Sequence, residues 1–365
     1  MNKSNQYSII HFILLMMTSV GLLNHVIIIP PLAGAAKRDA WLSAICTLVV
    51  FLVVICIFLY IMRSTQQKHI SVWLNTQFGP IPAYTFNVLM SAYLVTAIYV
   101  TVNDLANWTS ITYLQDTPRI IIGGSLLALG IGVALTDMLT IIIVNSILLP
   151  FIVVLGFFVA TVNIPNKDYS YLLPVFEHGI TPMIHGMVYS GAGTIELIAI
   201  ILLQHHIKQK VRYYQLAITV LILIWLTLGP TMGAIAAFGP IEVAIQRFPA
   251  FELWGLVKLG IFIEHLDFFS IYQWLSGAFV RLSLCGYLVV ELLFPHGSKP
   301  KRRKRFLLIV FVGITGAILL PISDTLFVYI LSEYYLPSSL VLLTALLLFL
   351  ATMSFIANRK RGVIR

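Results

Sequence analysis

The chain has 365 residues, of which 59% are hydrophobic and only 10% charged, with a mean hydropathy of +0.95. A soluble domain carries about a quarter charged residues, so this composition excludes an ordinary water-soluble protein and defines an integral membrane protein. Lysine and arginine number 23 against 14 aspartates and glutamates, and crossing segments of about 20 apolar residues leave room for about ten spans and no sizeable soluble domain.

In chain order, the first apolar run is Ile9 to Pro31; only eight residues precede it and no small-residue cleavage pattern closes it, so a retained span is expected. Further spans are expected at Trp41 to Met62, Ile81 to Leu105, Ile120 to Leu135 and Met138 to Val162, each bounded by charge, proline or polar residues. A second set follows at Pro182 to Leu203, Tyr213 to Phe238, Phe268 to Phe294, Phe306 to Pro321 and Leu336 to Ala357. The weakly apolar stretch from Asp324 to Tyr335 is expected to be part of an exposed loop. The reading is an all-α membrane protein of about ten transmembrane helices, a single membrane domain over residues 1–365 with halves of roughly 1–165 and 175–365. The three cysteines, Cys46, Cys56 and Cys285, lie inside apolar runs without metal-ligand spacing, so neither a disulfide framework nor a metal site is indicated by them.

Charge sets the orientation. With a cytoplasmic N-terminus, sixteen Lys and Arg fall on inner segments, among them the run Lys301-Arg302-Arg303-Lys304-Arg305, and six on outer ones, with Arg281 left inside a span. The positive-inside rule favours this arrangement. Between two spans the basic run reads as a topology anchor, so no nucleic-acid partner is expected.

Five spans per half, an odd number, invert the second half relative to the first. Inverted-repeat transporters have this design, with the first helix of each half broken near the midplane. Spans one and six carry matching candidates: Thr18-Ser19-Val20-Gly21 then Asn24, and Tyr189-Ser190-Gly191-Ala192-Gly193-Thr194. At 1.5 Å per residue, Gly21 lies about 20 Å from one face and Gly191 about 14 Å from the other. At such breaks a small zwitterion would find amides for its carboxylate beyond Gly21 and carbonyls for its ammonium before Gly191.

Ionisable residues inside a bilayer are candidates for function. Glu196 stands one turn past the span-six glycines and either stabilises the inner half-helix or couples binding to a response. Glu264 and Asp267, spaced i,i+3 before span eight, suit an outer vestibule face, and Arg281 needs a partner that the sequence does not name. Tyr93 and Ala97, one turn apart on span three, set a hydroxyl above a space. No P-loop, HExxH helix, nucleophile elbow or paired acidic motif occurs, which argues against an enzyme.

Three segments carry a resemblance: Ser19-Val20-Gly21-Leu22-Leu23 with Pro30; Leu173-Pro174-Val175-Phe176-Glu177-His178-Gly179-Ile180-Thr181-Pro182; and Phe248-Pro249-Ala250-Phe251-Glu252 leading to Gly260-Ile261-Phe262-Ile263-Glu264-His265-Leu266-Asp267 with Trp274. Over nearly the whole chain the sequence resembles the B subunits of bacterial spore germinant receptors. That family is similar to the amino acid, polyamine and organocation transporters, with a leucine-transporter-like fold. The resemblance implies a 5+5 inverted repeat with helices one and six broken, and a nutrient sensor in the spore inner membrane without a cofactor. Its partners would be an A subunit, a C-subunit lipoprotein and a small-molecule germinant such as an amino acid. The family's pocket maps onto Ser19, Gly21, Tyr93, Ala97 and Gly193, and its acidic positions onto Glu196 and Asp267. A secondary amino acid transporter that moves its ligand remains the alternative.

Overall fold

The computed structural model describes residues 6–258, 265–294, 300–320, 322–360 and 362. Lipid offers the backbone no hydrogen bonds, so the apolar runs close their own as helices, and no strand occurs among the described residues beyond one isolated bridge between Tyr7 and Ile207. Eight helices or helix pairs are long and apolar enough to cross a membrane. Arg119–Ala134, shorter at 16 residues, and Pro300–Ile318, which opens on the basic run, occupy the expected fourth and ninth positions. About ten crossing helices therefore follow in the expected order.

Burial ranks the spans. The most apolar stretch of span eight is 83% buried and that of span six 72%, against 22% for span five, so spans one, three, six and eight form the centre and span five faces outward. Span eight packs along spans one, three and four, and span six rests on spans two and ten.

Span three is longer than expected. It runs from Pro80 to Thr112, 33 residues, and its last turns carry Asp104, Asn107 and Trp108 buried inside the protein rather than in a loop. The stretch Asp324 to Tyr335 is not an exposed loop either. Ser323 caps a helix by accepting a hydrogen bond from Leu326 N, Asp324–Ile330 is α-helical, and a π-helical turn at Leu331–Tyr335 joins it to Leu336–Lys360. Its polar residues misled the reading because several of them face protein: Asp324 is bonded to Asn107 and Arg247, and Tyr335 stacks on Tyr93 with ring centroids 6.4 Å apart.

Helices one and six are both interrupted, but beyond the glycines. In span one an α-helix over Ile9–Leu22 passes into a π-helical turn at Leu23–Ile27 and resumes at Ile29–Ala36. Pro30 and Pro31 lack the N–H groups that would bond back one turn, and the wider turn accommodates that loss. In span six the helix Thr181–Ile195 tightens to a 3-10 turn at Glu196–Ile198 before Ala199–Leu202. Each interruption shifts the hydrogen-bond register without unwinding the chain.

Candidate functional site

The glycines explain how the two interrupted helices meet. A Cβ on Gly193 would lie 2.0 Å from Asn24 Oδ1, and one on Gly21 would lie 2.7 Å from a methyl of Leu226. Gly193 thus brings span six directly onto the π-helical turn of span one, where Asn24 is further fixed by donating to Leu223 O at 3.1 Å. Gly191 packs near Leu340. None of Gly21, Gly191 and Gly193 lines the central cavity, whereas Ser19, Tyr93, Ala97 and Glu196 do.

That cavity has a volume of about 20 Å³, room for a water molecule and no more. Its polar wall is one constellation. Arg281, fully buried on span eight, donates from Nη1 to Glu196 Oε2 at 2.5 Å and from Nη2 to Glu196 Oε1 at 2.6 Å. Its Nε donates to Thr101 Oγ1 at 3.0 Å, and Nη1 also donates to the backbone carbonyl of Ser19 at 3.0 Å. Tyr93 Oη donates to Glu196 Oε1. Removing two ions from water costs several kcal/mol each, about, and only good geometry with further hydrogen bonds repays it. Here a two-pronged carboxylate contact and two further acceptors supply that repayment, and the pair ties spans three, six and eight to span one.

Arg281 was recognisable in the sequence as an ion that needed a partner; Glu196, 85 residues away, is that partner. Thr101, Tyr335 and Cys285, which lines the cavity, were missed, and for Thr101 the only available signal was its place one turn beyond Ala97. Asp267 lies before span eight, where its backbone carbonyl accepts from Tyr113 Oη at 2.8 Å, well away from the cavity. Glu264 lies outside the described residues.

Two turns beyond Ala97, at the end of the bundle where span three terminates, lies a second ionic cluster. Arg247, between the short helices Pro240–Val243 and Pro249–Gly255, donates from Nη2 to Asp104 at 2.5 Å and from Nε to Asp324 at 2.9 Å. Burial works against its charge, yet the two carboxylates hold its pKa above the ordinary guanidinium value. Beside it Trp108, Phe251 and Trp274 pack ring on ring, with 4.2 Å between the Trp108 and Trp274 centroids. Asp104 is buried and Asp324 half-exposed, so Arg247→Gln is expected to destabilise the protein by about 2 to 5 kcal/mol through the unpaired Asp104, read as a fall in thermal stability. Adding Asp104→Asn should recover much of that loss; no recovery would show that the two side chains act separately.

Two interrupted helices meeting beside a small, mostly apolar cavity with one charged wall, inside a bundle of about ten spans, define a transporter-like membrane protein. The structure of MhsT in complex with L-phenylalanine superposes with a TM-score of 0.63 over 96% of each chain at 13% identity, which shows a shared leucine-transporter-like fold. The family model described as spore germination protein matches residues 5–320, and spore germination protein XB of Bacillus anthracis is 41% identical over 96% of this chain and 98% of its own length. The chain belongs to the spore germination protein family, the germinant receptor B subunits.

Proposed function

We propose that this protein is the germinant-sensing membrane subunit of a spore germination receptor and takes a small zwitterion, an amino acid, between spans one, three, six and eight. The observation that carries this reading is the buried Glu196–Arg281 pair, with Tyr93, at the cavity beside the interrupted helices. A cavity of about 20 Å³ admits no amino acid, so binding requires the pair to open. A zwitterion entering between the two side chains would replace each lost charge contact, carboxylate against Arg281 and ammonium against Glu196, and would leave neither ion bare. Ligand binding and rearrangement of the bundle are then one event, which is what a sensor needs. The L-phenylalanine held by MhsT is a ligand of the same chemical class.

Partners in this reading are an A subunit, a C-subunit lipoprotein and the lipid of the spore inner membrane, with both termini on the spore-core side. Deleting the gene and assaying spores against a panel of amino acids, sugars and nucleosides tests the sensing role; an unchanged response to every compound would count against it. Retained uptake of a labelled amino acid by vesicles carrying the protein would instead favour a secondary transporter. The orientation has its own test. With Cys46 and Cys56 replaced by serine, a cysteine at exposed Gln115 is expected to react with an impermeant thiol reagent from outside, and one at exposed Lys301 only after permeabilisation. Reversed labelling would invert the topology.

A further inference from the structure

At the opposite end of the bundle from Arg247, ten residues or about 15 Å along span eight from Arg281, lies a cluster that the ligand site does not use. Glu291, in the last turn of span eight, accepts at Oε1 from two imidazoles: His205 Nε2 at 2.9 Å and His206 Nε2 at 3.3 Å. Both histidines belong to the 3-10 turn Gln204–His206 that ends span six. His69, from the connection between spans two and three, sets its ring 4.6 Å from that of His205. One ligating atom from each of His69, His205 and Glu291 falls within 4.8 Å of the others. The side chains of His205, His206 and Glu291 are at least nine-tenths buried.

We propose that His69, His205 and Glu291, with water in the fourth position, bind a divalent transition metal ion of the zinc class. Tetrahedral coordination with bonds of about 2.0–2.1 Å puts ligand atoms about 3.3 Å apart, and the 2.9 Å between Glu291 Oε1 and His205 Nε2 needs only a small opening to reach that. Imidazole nitrogens with one carboxylate suit zinc or cobalt, whereas calcium and magnesium take oxygen. One polar atom of the cluster, Glu291 Oε2, is buried and has no hydrogen-bond partner among the described residues. Such groups are costly in a dry interior unless something else engages them. An ion there also has support around it: His206 Nε2, 3.3 Å from Glu291 Oε1, holds the carboxylate from the side, Gln204 Nε2 donates to Lys68 O beside His69, and Tyr7 N donates to His206 O. The ion would cross-link the loop after span two to the ends of spans six and eight. Sequence alone does not show this site, because its ligands come one each from three separate segments.

The test uses the full-length protein in nanodiscs, stripped with a chelator, dialysed, and titrated with Zn²⁺ and Co²⁺. The expected result is a single ion per chain, with X-ray absorption at the cobalt edge showing imidazole ligands in a four-coordinate shell. Loss of a direct ligand should cost more than the 10–100-fold typical of an outer-shell change, so His205→Gln and Glu291→Gln are each expected to weaken Zn²⁺ binding more than about 100-fold. His69→Cys, which keeps a zinc ligand, should retain it, and His185→Gln at an exposed position should match the wild type. A wild-type protein that takes up no ion, a cobalt shell of oxygen alone, or equal affinity in wild type and Glu291→Gln would overturn the proposal and leave a plain histidine–carboxylate contact.

Discussion

Glu196→Gln is expected to deplete the protein from the membrane, and Arg281→Met should do the same, because each leaves one member of a buried ion pair without its counter-charge. Breaking such a pair costs about 3 to 5 kcal/mol, a large part of the stability of any domain. Removing both charges is far cheaper, since apolar or neutral groups of similar volume often replace a buried pair at little cost. The double variant Glu196→Gln with Arg281→Met should therefore return to near wild-type abundance, measured by immunoblot of membranes, while its germination response stays absent. Tyr93→Phe removes one hydrogen bond to a charged group and should cost about 1.5 to 3 kcal/mol. A double variant as depleted as the singles would mean that the pair is not what the singles disturb. Normal abundance with normal response in Glu196→Gln would remove Glu196 from the site.

The second large effect concerns space. Ala97 is buried and lines the cavity one turn from Tyr93. Leucine adds three carbons there, and one methylene in a pocket shifts small-ligand affinity by about 1 to 3 kcal/mol. The germinant dose-response of Ala97→Leu should move at least about tenfold, equivalent to about 1.4 kcal/mol. Overpacking will also act on the ligand-free state, at about 1 to 3 kcal/mol, so responses are compared at matched protein level. Ala97→Ser, nearly isosteric, should stay close to wild type. Leucine and serine variants that respond alike would place the ligand elsewhere, and Ala97 would be packing only.

Span boundaries were legible where a local cap or a polar flank marks them. Met138–Val162 begins where Asp137 Oδ1 accepts from Thr140 N at 3.0 Å, and Tyr213–Phe238 begins where Arg212 N donates to Gln215 Oε1 at 2.9 Å and ends at Gly239 with φ of +82°. The start of span ten was not legible, because Asp324 reads as a loop residue until Arg247 and Asn107 are beside it. The interruptions in spans one and six were legible in existence and displaced in position: glycine was read as the breaker, whereas the proline pair in span one and a change of helical register in both cause the interruptions, and Gly193 and Gly21 serve close approach. Ser19, Tyr93, Ala97 and Glu196 converge on one cavity, but the joining of Glu196 to Arg281 is a contact between helices that no sequence period announces. The same holds for the His–Glu291 cluster.

The central claim is that a zwitterion binds by opening the Glu196–Arg281 pair. It is tested most directly by equilibrium binding of a radiolabelled germinant, chosen by the deletion panel, to spore membranes carrying either the wild-type protein or the double variant Glu196→Gln with Arg281→Met at matched abundance. The account predicts saturable binding to the wild type, and loss of that binding in the double variant to the level of membranes lacking the protein. Unaltered affinity in the double variant would contradict it.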